Sequence, residues 1–257
     1  FNTGLQSPVF LNEPLNSDRV LITLGTQESQ SEGGAGVEWF KRCSPNSGAQ
    51  SMKTIKLIYT ADEIKAAGGT AGYITSLAWD VSEVNAINLT NYRIILGHTT
   101  YSNVQYNRTP DDPIEVKNAY TYASGGSTGW RTITFDVNFL WDGTRNILVQ
   151  MCNDLSGSSN LNGRVWLYNV GTSYLRSWHN NCRCECSVYS IGEGIGGKPR
   201  IQFGLIPVPN LTVNPGSLNF NNVLIGVTSA EQTYTLAGTT LSSSPIVVTA
   251  PSGYEVS

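Results

Sequence analysis

Residues 180–190 read NNCRCECSVYS, which places Cys182, Cys184 and Cys186 at alternate positions with Arg183 and Glu185 between them. In an extended chain the three thiols share one side and the charged pair takes the other. Two further cysteines, Cys43 and Cys152, stand far off in the chain. Three chemistries compete for such a cluster: a metal site, a redox device or a disulfide hub. Structural zinc sites favour paired CxxC knuckles, often with histidine. The spacing here is C-x-C-x-C, and of the two histidines, His98 and His179, only His179 lies close by. A redox CxxC is absent. Cysteines two apart on a strand point the same way, but their geometry rarely suits a mutual bridge. An exported chain oxidises its cysteines. The expected arrangement therefore joins Cys43 and Cys152 separately to two of the three clustered cysteines and leaves one thiol over. Each unstrained bridge would contribute ~2–4 kcal/mol.

Two glycine-rich strings imitate catalytic motifs. Gly125-Gly126-Ser127-Thr128-Gly129 fits G-x-S-x-G, but that elbow needs a strand before it and a helix after it, and here Trp130 opens a strand. Gly192 to Lys198 fits G-x-G-x-x-G and nearly fits a P-loop. Pro199 stands where Ser or Thr should hold magnesium, and a strand follows where a helix N-terminus should hold phosphate. Replacing Ser127 or Lys198 with Ala is therefore expected to leave the fold unchanged. Asn153, Asp154, Asn160 and Asn162 surround a Ser/Gly loop whose oxygens could gather calcium. No fixed ligand spacing supports a calcium site, and turn chemistry by Asx side chains is the favoured reading. No pair of acids stands out for glycoside hydrolysis.

Aromatic residues are the better candidates for a binding surface. Trp39, Tyr101, Tyr106, Tyr122 and Trp178 lie in loop-like or polar stretches, with Tyr120 and Tyr174 nearby. Flat rings stack on sugars and also anchor protein contacts. Trp79 reads as core, and Trp130 and Trp141 as core or edge.

The elements that must carry these residues are strands. In GYITSLAWDV, alternation puts Tyr73, Thr75, Leu77, Trp79 and Val81 on one face. NYRIILGHTT does so with Tyr92, Ile94 and Leu96, and WRTITFDVNF with Ile133, Phe135 and Val137. NILVQMC, RVWLYNV and PRIQFGL continue the series, with Gly, Asn, Asp and Ser between. One helical turn interrupts them. In YTADEIKAAGG, Thr60 and Glu63 form a capping box and a glycine closes the end. The pattern predicts an all-β sandwich with one short helix over residues 1–206. Pro207, Pro209 and Pro215 then punctuate a composition shift, and residues 207–257 read as three or four strands of an incomplete immunoglobulin-like sandwich.

A net charge of −3 gives no electrostatic reason to expect nucleic acid, and no apolar run reaches the ~20 residues that span a bilayer. Only 14% of residues are charged, while Gly, Tyr, Thr, Ser and Asn abound, as in extracellular β proteins. The opening FNTGLQSPVF carries no signal-peptide pattern, and the abrupt start and finish suggest a trimmed product.

The blocks IYTADEIKAAGGTAGYITSLAWDV, LTNYRIILGHTT, GWRTITFDVNFLWDGTRNILVQMCND and KPRIQFGL resemble a jelly-roll-like β-sandwich module of large secreted and cell-surface proteins of Bacteroidota. The tail from Leu211 to Ser257 resembles the Ig-like repeats that follow such modules in adhesins and multidomain hydrolases. The resemblance implies export by the type IX route and a role as part of something larger. The expectation is a non-enzymatic adhesin-like or structural surface module without a resident cofactor. Its partners would be a glycan or a neighbouring surface protein, with self-assembly through sheet edges. A carbohydrate-binding module of a polysaccharide-degrading enzyme is the alternative.

Overall fold

A computed structural model describes residues 19–30, 52–84, 88–102, 104, 109–123, 125–154, 163–179, 193–224, 226–239, 241 and 246–256. The chain divides into two compact units, Phe1–Ile206 and Pro207–Ser257. The described elements are β1 (Val20–Leu24), β2 (Ser29–Gln30), β3 (Met52–Tyr59), α1 (Ala61–Ala66), β4 (Gly72–Glu83), β5 (Leu89–Thr99), β6 (Ile114–Tyr122), β7 (Gly129–Trp141), β8 (Asn146–Asp154), β9 (Arg164–His179), β10 (Glu193–Pro199), β11 (Ile201–Pro207), β12 (Asn210–Asn214) and β13 (Thr235–Thr239). The described residues are all-β with one short helix, as the alternation requires.

In the first unit the strands hydrogen-bond in the order β1-β11-β4-β9-β3-β8-β5-β6, with β7 on β4 and with β2 and β10 on β9. The long strand β9 passes between two layers. Its start pairs with β4 (Val165 opposite Val81), and its later part pairs with β3, from Leu175 opposite Leu57 to His179 opposite Lys53. Ile22, Leu77, Trp79, Phe139, Trp141 and Phe203 of one layer meet Leu57, Tyr59, Tyr92, Ile94, Leu96 and Val149 of the other in one buried core. The rings of Tyr59 and Phe203 cross it edge to face at 5.8 Å. Strand β8 is buried on both faces. Ile147, Val149 and Met151 enter the main core, while Leu148 packs with Ile58 and Val104 on the opposite side.

The helix starts where the sequence places it. The Thr60 side chain accepts the Glu63 N–H and the Glu63 carboxylate accepts the Thr60 N–H, closing the capping box. Ala61 and Ile64 turn into the core.

Two of the predicted strand faces need correcting, and one irregularity explains both. The partners of β4 jump from Phe139 opposite Ile74 to Thr134 opposite Ser76, so β7 bulges over Phe135–Asn138. Beyond the jump Leu77, Trp79 and Val81 face the core, but before it Ile74 does, and Tyr73 and Thr75 do not. On β7, Ile133 and Phe135 are core while Val137 is exposed. The bulge aims Asp136 at β6, where its carboxylate accepts from the Asn118 N–H at 2.9 Å and from Lys117 Nζ at 2.7 Å.

In the second unit β12 and β13 form a two-stranded antiparallel sheet. Of the three or four strands expected over residues 207–257, the described residues form these two, and SLNF (217–220) and residues 246–250, which also alternate or run apolar, form none. The described residues there contain no facing layer for the apolar side chains to pack on, and Leu224 and Val247 are the most exposed of the described large hydrophobic residues.

Candidate functional site

The richest polar cluster lies where β3 and β5 end and β8 begins. Tyr59 stands opposite Ile147 there, and Thr99 opposite Asn146. The local sequence WDGTRN makes the turn into β8. Asp142 Oδ1 accepts the N–H groups of Thr144 and Arg145, each at 2.8 Å, and Gly143 takes a φ of 74° that suits glycine. The Trp141 indole N–H closes the turn on the Arg145 carbonyl at 2.8 Å. Asn146 then ties three segments together. Its Oδ1 accepts from the Ala61 N–H and its Nδ2 donates to the Tyr101 carbonyl.

His98 is buried at the centre of this cluster, with its ring against Phe139 at 4.8 Å. The Asp142 N–H points at Nε2 from 3.2 Å, so Nε2 is the acceptor and Nδ1 carries the proton. Nδ1–H donates to Asp112 Oδ2 at 2.7 Å, and the other oxygen of Asp112 accepts the His98 backbone N–H. Arg145 bridges the two carboxylates, 2.6 Å from Asp142 and 3.4 Å from Asp112. Burial pushes the Asp112 carboxyl up, but the His98 bonds and the Arg145 charge more than reverse this and hold it below its usual range. Asp142 shows the same contest, and the bonds from Arg145 and Thr144 hold it well below its usual value. Both acids are therefore anions at neutral pH, and both ring nitrogens of His98 are engaged. The arrangement ties Asp111 and Asp112, which lead into Ile114, to His98 at the end of β5. It offers solvent the half-exposed faces of Asp112, Arg145 and Tyr101.

The sequence-predicted aromatics that the structure describes do not lie together in one strip. Tyr101 lies in this cluster and is 38% exposed. Tyr122 sits at the other end of the β5–β6 ladder, opposite Leu89. It is a core residue, stacked on Tyr92 at 5.1 Å with the Arg131 guanidinium 5.4 Å over its ring, so its face is not offered to a ligand. Trp178 stands opposite Thr54 on β9, at that same far end of the sheet. Trp39 and Tyr106 lie outside the described residues.

Of the cysteines, Cys152 is described. It is fully buried and disulfide-bonded, and its register partner on β3 is Thr54. Cys43, Cys182, Cys184 and Cys186 lie outside the described residues. Asn153 and Asp154, read from sequence as loop ligands for calcium, are strand residues paired with Lys53 and Met52. Asn160 lies outside the described residues. Among the described residues no group of three or more His, Cys, Asp or Glu could hold a metal ion.

Two charged constellations escaped sequence reasoning because they join residues more than a hundred positions apart. Lys198 Nζ lies 2.6 Å from Glu63 Oε2, buried over the Tyr59 ring. The Tyr168 hydroxyl donates to the other Glu63 oxygen, and the Tyr59 hydroxyl donates to the Pro199 carbonyl. Burial lowers the Lys198 pKa, with Glu63 opposing, while Glu63 itself is held down against its own burial by Lys198 and Thr60. On the outer face of the other layer, Arg200 pairs with buried Asp80 and donates to the Gly25 carbonyl. It lies 4.9 Å from the Trp130 ring, which is 37% exposed. No protein-family model, curated protein or solved structure matches the chain.

Proposed function

We propose that the chain is a non-enzymatic extracellular surface module that acts by binding and assembly. One observation carries this reading. The second unit turns Leu211, Val213, Leu224, Val227, Val247 and Tyr254 outward, and β12 is exposed along its whole length. Apolar side chains turned outward on neighbouring positions of one strand and the segments that follow it suit contact with another polypeptide. The charged groups of the first unit support the reading from the other side, because His98, Glu63, Lys198 and Asp80 are each consumed by internal partners. Export by the type IX route rests on the resemblance to secreted modules of Bacteroidota and on the low charge content.

A specific observation favours a second reading, a carbohydrate-binding module of a secreted polysaccharide-degrading enzyme. Trp130 shares its strand face with Thr132 and Thr134, all three exposed, which sets an aromatic ring beside hydroxyls. Glycan arrays and light scattering on the intact chain separate the readings. Concentration-dependent association without glycan retention is the expected result. Retention of one glycan class that Trp130→Ala abolishes would put the second reading first. A chain that stays monomeric and retains no glycan would overturn both.

The cysteines belong to the same proposal, as staples. Cys152 and Trp178 stand at one level of the sheet, on either side of Thr54. Cys182 follows the end of β9 by three residues, and Cys43 precedes the start of β3 by nine. At ~3.3–3.6 Å per residue all can reach this one end of the sheet. Non-reducing peptide mapping is expected to join Cys43 and Cys152 each to the 182–186 cluster. A Cys43–Cys152 bridge, or stoichiometric bound zinc, would disprove it.

A further inference from the structure

A strand at the edge of a sheet carries a row of unspent N–H and C=O groups, and proteins protect such edges with charge, proline or a bulge. Three of the described edges are protected. On β6, Lys117 supplies charge, and the Asn118 N–H is consumed by Asp136. Strands β7 and β10 are irregular in register against their neighbours. Two edges differ. Strand β1 reads VLITL and β12 reads NLTVN, both without charge or proline. Each pairs on one side only among the described residues, β1 with β11 and β12 with β13. Both ladders run five residues without a register shift. Their apolar side chains face water: Val20 is 43% exposed, Leu21 50%, Leu211 45% and Val213 48%.

We infer that these two edges bind each other between copies, β1 of one molecule pairing with β12 of the next. The inference rests on the assembly reading above and deepens it by naming the partner, a second copy of this chain. The two strands match in length and in the absence of charge. Antiparallel pairing in full register sets Leu21 opposite Val213 and Thr23 opposite Leu211 on one face. The two most exposed apolar side chains of the paired edges then cover each other. Ile22 and Leu24 keep their places in the first unit's core. Because the two surfaces differ, the contact is heterologous, so each added copy leaves one β1 and one β12 edge open and the assembly grows as a linear chain.

A pair of lysines on each edge tests this. Val20→Lys with Leu21→Lys blocks β1, and Leu211→Lys with Val213→Lys blocks β12. All four positions are solvent-exposed, so circular dichroism and melting temperature should match the wild type. By light scattering the intact chain should gain mass with concentration. Each double variant alone should stay at monomer mass, with self-association weakened at least about tenfold. Mixed one to one, the two variants should form a heterodimer and stop there, because one intact β1 meets one intact β12. An intact chain that is monomeric at every concentration overturns the inference, while glycan retention would still leave a binding module standing. Association that survives in both variants, or that only one pair of lysines abolishes, also overturns it. The first points to another surface and the second to pairing of like edges, and both leave the assembly reading intact.

Discussion

Trp141→Ala is expected to bring the first unit close to global unfolding. The ring is fully buried in the core between the two layers. Its removal should cost ~3–5 kcal/mol in lost burial and cavity formation. The indole N–H is also the donor that closes the DGTR turn on the Arg145 carbonyl, and leaving that acceptor unmatched adds about 1 kcal/mol. The sum is comparable with the ~5–15 kcal/mol that a domain has in total. The damage should also spread locally, since the same turn presents Asp142 to His98 and Arg145 to Asp112. Trp141→Phe separates the two contributions. It keeps most of the ring, loses the hydrogen bond, and should fall short of wild type by only about 1–2 kcal/mol. Urea unfolding followed by circular dichroism measures both. A Trp141→Ala variant within about 1 kcal/mol of wild type would show that the turn and the core are not coupled as described.

Much of the fold is legible in the sequence because its signals are local. The capping box at Thr60 and Glu63 needs only four consecutive residues, and it forms as written. Tyr92, Ile94 and Leu96 alternate through a continuous run, and all three are core. Alternation fails at the bulge between β4 and β7. A period of two says which residues share a face only while pairing stays regular, and nothing in TFDVNF marks where extra residues enter. Tyr73, Thr75 and Val137 are misplaced for that one reason. The site was less legible than the fold. His98 meets Asp112 across 14 positions and Asp142 across 44, and no spacing rule links them. Tyr122 was misread because YTY in a polar stretch looks like a loop. Its burial comes from Tyr92 and Arg131 on neighbouring strands, which a single segment cannot reveal.

Lys198 shows the same limit with opposite consequences, and its replacement is the other large expected effect. In sequence it ends a glycine-rich string that nearly spells a phosphate loop, and its loss should be silent if that string is an idle turn. The structure gives the string another use. Gly197 adopts a φ of 127°, and the partners of β10 jump from Ser173 opposite Gly196 to Tyr168 opposite Lys198. The glycines permit this irregularity, and Lys198 lies buried beyond it, its Nζ on Glu63. Removing one partner of a buried ion pair strands the other and costs ~3–5 kcal/mol. Glu63 keeps some exposure and its bonds from Thr60 and Tyr168, so Lys198→Ala should sit at the lower end, about 3 kcal/mol. Lys198→Met fills the volume and should lose about 2 kcal/mol, nearly all of it from the stranded carboxylate. Adding Glu63→Gln to Lys198→Met removes that charge and should recover about half of the loss, a coupling that two independent sites would not show. The loss extends to α1, because the same carboxylate oxygen caps the Thr60 N–H. Chemical denaturation of Lys198→Met, Glu63→Gln and the double variant, read at two wavelengths with Lys198→Ala alongside, gives the double-mutant cycle. Additive losses, or a silent Lys198→Ala, would mean that Glu63 and Lys198 do not depend on each other and that the string is the idle turn it resembles.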